Sequence, residues 1–163
     1  VALFLSTYIN KIDKKGRVSV PSSFRAALSD DGYQGVVLFK SYTHEALEGF
    51  PMEFMAELGA RLDRFDLFSE DQNDLSTAIF AESIQLPFDG EGRIILPADY
   101  IEFCGVSDVV AFVGMGPKFQ IWAPAALEAR KAAARERVQS KGLTLPSSSA
   151  AVAGAAAKNG GGA

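Results

Sequence analysis

The sequence predicts an α+β, β-rich fold in which two copies of one module pair about a pseudo-twofold axis into a barrel with flanking helices. Three observations lead there. The chain matches itself at a separation of 76 residues, so that Asp13, Gly16, Arg17 and Pro21 recur as Asp89, Gly92, Arg93 and Pro97. Each copy consists of short β-forming runs broken by turn residues. Helical spacing is confined to short runs after the turns and to the segments between and behind the copies.

The elements follow in order. Leu3 to Ile12 is rich in β-formers and aromatics and reads as a strand. Asp13-x-x-Gly16-Arg17 then turns the chain: the Asp carboxylate accepts from downstream amides, and Gly supplies a positive-φ position without a Cβ clash. Arg17 opens a return strand over Val18 to Val20, and Pro21 suits the start of a short helix whose apolar face is Phe24, Ala27 and Leu28. Two further strands fall near Val36 to Lys40 and Glu45 to Phe50. The second copy repeats this order from Ala81 to Trp122, with Asp89, Gly92 and Arg93 as its turn and a hairpin at Gly114-Met115-Gly116-Pro117. In the later strands the two copies match at a separation of 73, Pro51 recurring as Pro124.

Between the copies, Phe54, Leu58, Leu62 and Phe65 share one face of a helix over Met52 to Leu67. A second helix is expected over Ser69 to Phe80, with Ser69 and Asp71 as candidate N-caps. Pro124 to Lys141 is Ala-rich and reads as a terminal helix; the Ser, Ala and Gly tail behind it is expected to be disordered. The organisation is thus a first module over 3–53, a helical linker over 54–80, a second module over 81–126, a C-terminal helix over 127–141 and a tail over 142–163. A strand-rich unit of about 45 residues buries too little apolar surface to stand alone, and pairing with its duplicate covers its strand edges.

Composition excludes several functions. One cysteine, Cys104, permits neither an intrachain disulfide nor a thiolate zinc site, and its apolar neighbours describe a packed, inert thiol. One histidine, His44, lies in a polar stretch and reads as a surface-loop residue, not as part of a triad or zinc motif. The acids of the linker (Asp63, Asp66, Glu70, Asp71, Asp74) read as a solvated helix face. The Gly114-x-Gly116 pair lacks the rest of a nucleotide-binding loop. No enzyme, metal or cofactor is therefore expected. No run reaches the ~20 apolar residues of a membrane span, and no signal peptide is legible, so a cytoplasmic protein is expected.

The tandem Asp-x-x-Gly-Arg turns, each followed by an apolar strand and Pro, resemble those of the MraZ transcriptional regulator family. So do Phe4-Leu5-Ser6-Thr7-Tyr8 and the segment Val113-Gly114 to Lys118-Phe119-Gln120-Ile121-Trp122. The resemblance covers about residues 3–137. It implies tandem AbrB-like (SpoVT-AbrB, swapped-hairpin) modules in a double-split β-barrel, assembled as a homo-oligomeric ring, octamer-like or larger. It also implies a nucleoid-associated repressor of its own division and cell-wall gene cluster, whose partner is double-stranded DNA with repeated promoter elements. The rival readings are a non-catalytic structural or protein-binding ring and an AbrB-like antitoxin.

Charge selects the DNA-facing turn. The net charge of −4 argues against nucleic-acid binding as a sum, but it is segregated. Residues 10–25 hold five cations and one acid, whereas residues 30–108 hold four cations and 17 acids. Phosphate binding needs cations, because counterion release supplies most of the affinity. Lys14, Lys15 and Arg17 of the first turn are thus the expected DNA contacts, with Lys11 and Arg25 extending the patch. Arg17 is the candidate for a guanine, the lysines for phosphates. Asp13, Gly16, Asp89 and Gly92 shape the turns. Arg93 is either a second-copy contact or an intramolecular brace to its Asp, an alternative that applies to Arg17 as well.

Overall fold

A computed structural model describes residues 2–30 and 32–147. The described residues up to Leu127 form one body, and a second begins at Glu128. The first copy runs β1 (Thr7–Lys11), β2 (Arg17–Ser19), α1 (Ser22–Ser29), β3 (Gly35–Lys40) and β4 (Leu47–Phe50). After α2 (Met52–Leu62), α3 (Glu70–Ser76) and a π-helical turn (Thr77–Ala81), the second copy runs β5 (Ile84–Pro87), β6 (Arg93–Ile95), α4 (Ala98–Cys104), β7 (Val109–Gly114) and β8 (Phe119–Trp122). α5 (Pro124–Lys141) follows. The β-rich α+β class and the repeated order are as expected. The expected tail lies largely in residues 148–163, outside the described residues.

Each copy lends strands to the other. A six-stranded antiparallel sheet has the order β1-β7-β8-β4-β3-β5, and β2 pairs with β6 in a separate ribbon. β1 therefore pairs with β7 of the second copy and β5 with β3 of the first, while β1 meets its own β2 at a single bridge, Ile12 to Val18. Two ladders are self-complementary: Val18 faces Ile94 at the centre of the ribbon, and Glu48 faces Gln120 at the centre of β4–β8. The pseudo-twofold relates the two partners of each pair.

The registers refine the repeat. Val37 and Ala111 occupy equivalent places, as do Phe50 and Trp122, so the separation is 74 in β3/β7 and 72 in β4/β8. The uniform 73 read from Pro51 and Pro124 falls between them. A one-residue slip moves every side chain to the opposite face, and burial agrees with the registers: Val36, Leu38, Val110 and Phe112 all enter the central core.

That core is organised around Phe24 of α1, whose ring lies 5.2 Å from Phe4 and from Phe119 and 6.3 Å from Phe112. Truncating such a residue costs about 3–5 kcal/mol. The outer face of β3–β4 is covered by α2 and the π turn through Val37, Phe39, Phe50, Met55 and Ile79. The equivalent face of β7–β8 is covered by Leu127 of α5 through Val113 and Trp122.

Local differences from expectation have physical causes. α1, α2 and α4 begin directly after Pro21, Pro51 and Pro97, each of which occupies the cap position rather than the first turn. α2 stops at Leu62, so Phe65 lies beyond it, 39% exposed. Ser69 is the N-cap of α3, accepting from the Gln72 amide at 3.1 Å, while Asp71 stands in the first turn. The helix then widens into the π turn, where Ile79 is buried. His44 is half-buried, its ring 5.5 Å from Trp122.

Candidate nucleic-acid interface

The two Asp-x-x-Gly-Arg turns are the same structure built twice. In the first, Asp13 Oδ1 accepts from the amides of Lys15 and Arg17, each at 2.9 Å, and Oδ2 accepts from Arg17 Nε at 2.6 Å. The Gly16 amide closes onto the Asp13 carbonyl at 3.0 Å. In the second, Asp89 Oδ1 accepts from Glu91 (2.8 Å) and Arg93 (2.9 Å), Oδ2 accepts from Arg93 Nε (2.8 Å), and the Gly92 amide bonds the Asp89 carbonyl at 3.1 Å. Both carboxyls are held below their ordinary range, chiefly by the Arg backbone amide; desolvation opposes this, and the Arg side chain and the Lys15 or Glu91 amide add to it. Arg93 is in turn held more firmly protonated, chiefly by Asp89.

The glycines lock the turns together. Gly16 has φ 86° and Gly92 φ 74°. A Cβ on Gly16 would stand 2.5 Å from the Leu96 carbonyl oxygen; one on Gly92 would stand 2.6 Å from Arg25 Nη1. Each glycine carbonyl accepts from the other copy, Gly92 from the Val20 amide at 3.1 Å and Gly16 from the Leu96 amide at 2.9 Å.

The ribbon between the turns has two faces. Val18 and Ile94 point into the core. Arg17, Ser19, Arg93 and Ile95 point the other way, Arg17 opposite Ile95 and Ser19 opposite Arg93. One outward face thus carries both arginines. A two-stranded β-ribbon is one of the shapes the DNA major groove admits.

Lys14 and Lys15 are exposed at the tip of the first turn, and Lys11 is exposed at the end of β1. Arg17 is half-buried and braced to Asp13. Arg25 is different: it is part-buried, its Nε donates to the Val20 carbonyl at 3.1 Å, and its guanidinium packs on Gly92. Its counterpart in the second copy, Ile101, packs on Gly16. Arg25 therefore fills a place that an apolar residue fills in the other copy. Arg93 has both Asp89 and, at 3.7 Å, Glu91 as partners. Sequence reasoning missed Asn10, whose Nδ2 donates to the Ser19 carbonyl at 2.7 Å and ties β1 to the ribbon; nothing in its local pattern signals that contact. Cys104 is buried and its thiol is pushed up by burial. Among the described residues no His, Cys, Asp and Glu cluster is arranged to hold a metal, and no helix is long and apolar enough to cross a membrane.

The fold and site define a class: a tandem duplicate of a strand-turn-strand-helix-strand-strand module, interlocked by strand exchange, with one basic and one acidic Asp-x-x-Gly-Arg turn on a shared ribbon. The family model described as "MraZ protein, putative antitoxin-like" matches residues 3–77 and 79–141, and the chain belongs to that family. It is 44% identical over 135 residues to a protein of Pelagibacter ubique named transcriptional regulator MraZ, covering 83% of this chain and 87% of that one. Relatives of the same name from Gluconobacter oxydans (42% identical; 94% and 96% covered) and Rickettsia bellii (40%; 88% and 96%) match at similar length.

Proposed function

We propose that the chain is a sequence-specific DNA-binding transcriptional regulator that represses its own division and cell-wall gene cluster. The supporting observation is the outward face of the β2–β6 ribbon, flanked by the exposed Lys14-Lys15 tip. The name its relatives carry supports the same reading, and that name is of a regulator, not of an enzyme class. In this reading Lys14, Lys15 and Lys11 neutralise phosphates, and Arg17 contacts a guanine. A brace through Nε fixes the guanidinium plane, and the two Nη groups are what a guanine edge needs. Arg25 supports the turns. Arg93 stands beside Arg17 on the same face as a weaker contact, because Glu91 offsets its charge.

One ribbon makes few contacts. A homo-oligomeric ring that presents several ribbons to repeated upstream elements gains affinity by effective concentration. Such a protein acts in the cytoplasm, on the nucleoid. Fluorescence anisotropy with DNA from upstream of its own gene, at two salt concentrations, tests the proposal. Arg17→Ala is expected to abolish sequence-selective binding while the oligomer persists. An unchanged shift would instead make Arg17 a structural brace, the reading its bond to Asp13 favours. Binding to a partner protein with no DNA response would favour the antitoxin reading.

A further inference from the structure

We propose that Ile95 is a specificity-determining residue, which packs on the C5-methyl group of a thymine beside the guanine contacted by Arg17. The proposal rests on the DNA reading above and adds a base to it. The outward face of the β2–β6 ribbon is made by Arg17, Ser19, Arg93 and Ile95. The first three are charged or polar. Ile95 is the apolar exception, and it is 56% exposed. Strand propensity asks for a β-branched side chain there but not for an apolar one, because Thr serves a strand as well.

The chemistry of Ile95 selects one base. Its side chain has neither donor nor acceptor, so it gains nothing from phosphates or from the polar atoms of base edges. In the major groove thymine alone offers an apolar group, its C5-methyl. The register of the ribbon sets which thymine. Arg17 and Ile95 are directly opposed in the ladder, and the Cβ atoms of such a pair lie about 4.5–5.5 Å apart. Successive bases of one DNA strand are separated by about 3.4 Å along the helix axis. A ribbon that places Arg17 on a guanine therefore brings Ile95 over a neighbouring base pair.

The pseudo-twofold makes the consequence directional. It carries Arg17 onto Arg93 and Ser19 onto Ile95, with Val18 opposite Ile94 at its centre. The two arginines alone would read a site in the same way in either orientation. Their cross-strand neighbours make the halves differ: Arg17 stands beside an apolar surface, and Arg93 stands beside the Ser19 hydroxyl. The methyl contact on the Arg17 half ties the ribbon to one direction along the DNA.

Uracil in place of thymine keeps the polar edge of the base and removes the methyl group alone. The test is fluorescence anisotropy of the full chain on a duplex from upstream of its own gene, with each thymine replaced by uracil in turn. One thymine in each bound element, next to a guanine, should show about fourfold weaker binding when replaced, the worth of one buried methyl. The factor should be the same at two salt concentrations, because the contact releases no counterion. Ile95→Ser should erase the factor, and Ile95→Val should keep most of it. Each factor compares two duplexes with one protein, so a loss of ribbon stability does not imitate it, and the unsubstituted chain alone suffices if Ile95→Ser fails to fold. Selective binding with no uracil-sensitive position, or a factor that persists in Ile95→Ser, would overturn the proposal and leave the DNA reading standing. Binding without sequence preference by the unsubstituted chain would overturn both.

Discussion

The first and second Asp-x-x-Gly-Arg turns share every backbone and carboxylate bond and differ in the two residues at the tip. Lys14-Lys15 stand where the second copy has Gly90-Glu91. The fold asks three things of such a turn: a carboxylate that gathers amides, a residue that tolerates positive φ, and an arginine that braces the carboxylate. It asks nothing of the middle pair, whose side chains leave the body. Where the backbone imposes no choice, the charge is left to function. One barrel can therefore present a basic tip and an acidic one at no cost to its packing.

The sharpest way to break this equivalence is at the glycines, because their surroundings differ although their φ angles do not. Gly16→Ala sets a Cβ against the Leu96 carbonyl, which is backbone and also belongs to the ribbon. Gly92→Ala meets the end of the Arg25 side chain, which can swing away. We expect the first to cost about 3 kcal/mol and the second about 1 kcal/mol, read from denaturant unfolding. Equal losses would mean that strain in φ, not the neighbour, sets the cost.

Next in size is the exchange of tips. The double variant Lys14→Gly, Lys15→Glu makes the first turn like the second. We expect an unchanged melting temperature and DNA binding weakened at least about thirtyfold, with the slope of log affinity against log salt reduced by about 2. The reverse exchange, Gly90→Lys with Glu91→Lys, should add salt-sensitive binding without sequence preference. If the two exchanges proved equivalent, the basic tip would not be the DNA-facing one.

Much of this was legible in the sequence because it rests on local rules. Asp13, Gly16 and Arg17 form their turn from bonds within five residues, and Pro21, Pro51 and Pro97 mark helix starts through their own φ. What was not legible depends on partners distant in sequence. Arg25 and Ile101 look unlike each other, yet both shield the glycine of the opposite turn. Arg93 joins Arg17 on one face only because Ser19 pairs with it in the ribbon. The 74 and 72 registers were hidden because the β7–β8 turn is two residues shorter than the β3–β4 turn and the second copy then has one extra residue, Ala123, before Pro124, so that aligning the prolines gives 73. Glu48 needed β8, 72 residues away, to place Gln120 beside it.

A smaller effect separates folding from binding at the aspartates. Asp13→Ala and Asp89→Ala each remove the same three accepted bonds, so each should lower the melting temperature by the same few degrees. Only Asp13→Ala should also weaken DNA binding, because it frees Arg17 and the lysine tip. A loss of binding by both variants would assign the DNA contact to the pair of turns as a unit.

The smallest expected difference lies in acid titration of those carboxylates. Both are depressed in the folded chain, so the stability they contribute is complete above the unfolded value of about 3.9 and is lost as pH falls through the folded value. The amides of Lys15, Arg17, Glu91 and Arg93 report it directly, since each donates to one of these carboxylates. From neutral pH down to about 5 their NMR shifts should stay fixed, and below about 4 they should move. The tips then divide the two turns: neighbouring lysines favour an ionised Asp13, whereas the Glu91 charge disfavours an ionised Asp89. The second turn should accordingly titrate first as pH falls. If both moved together, the tip charges would be screened from the carboxylates, and the basic tip would act on its surroundings alone.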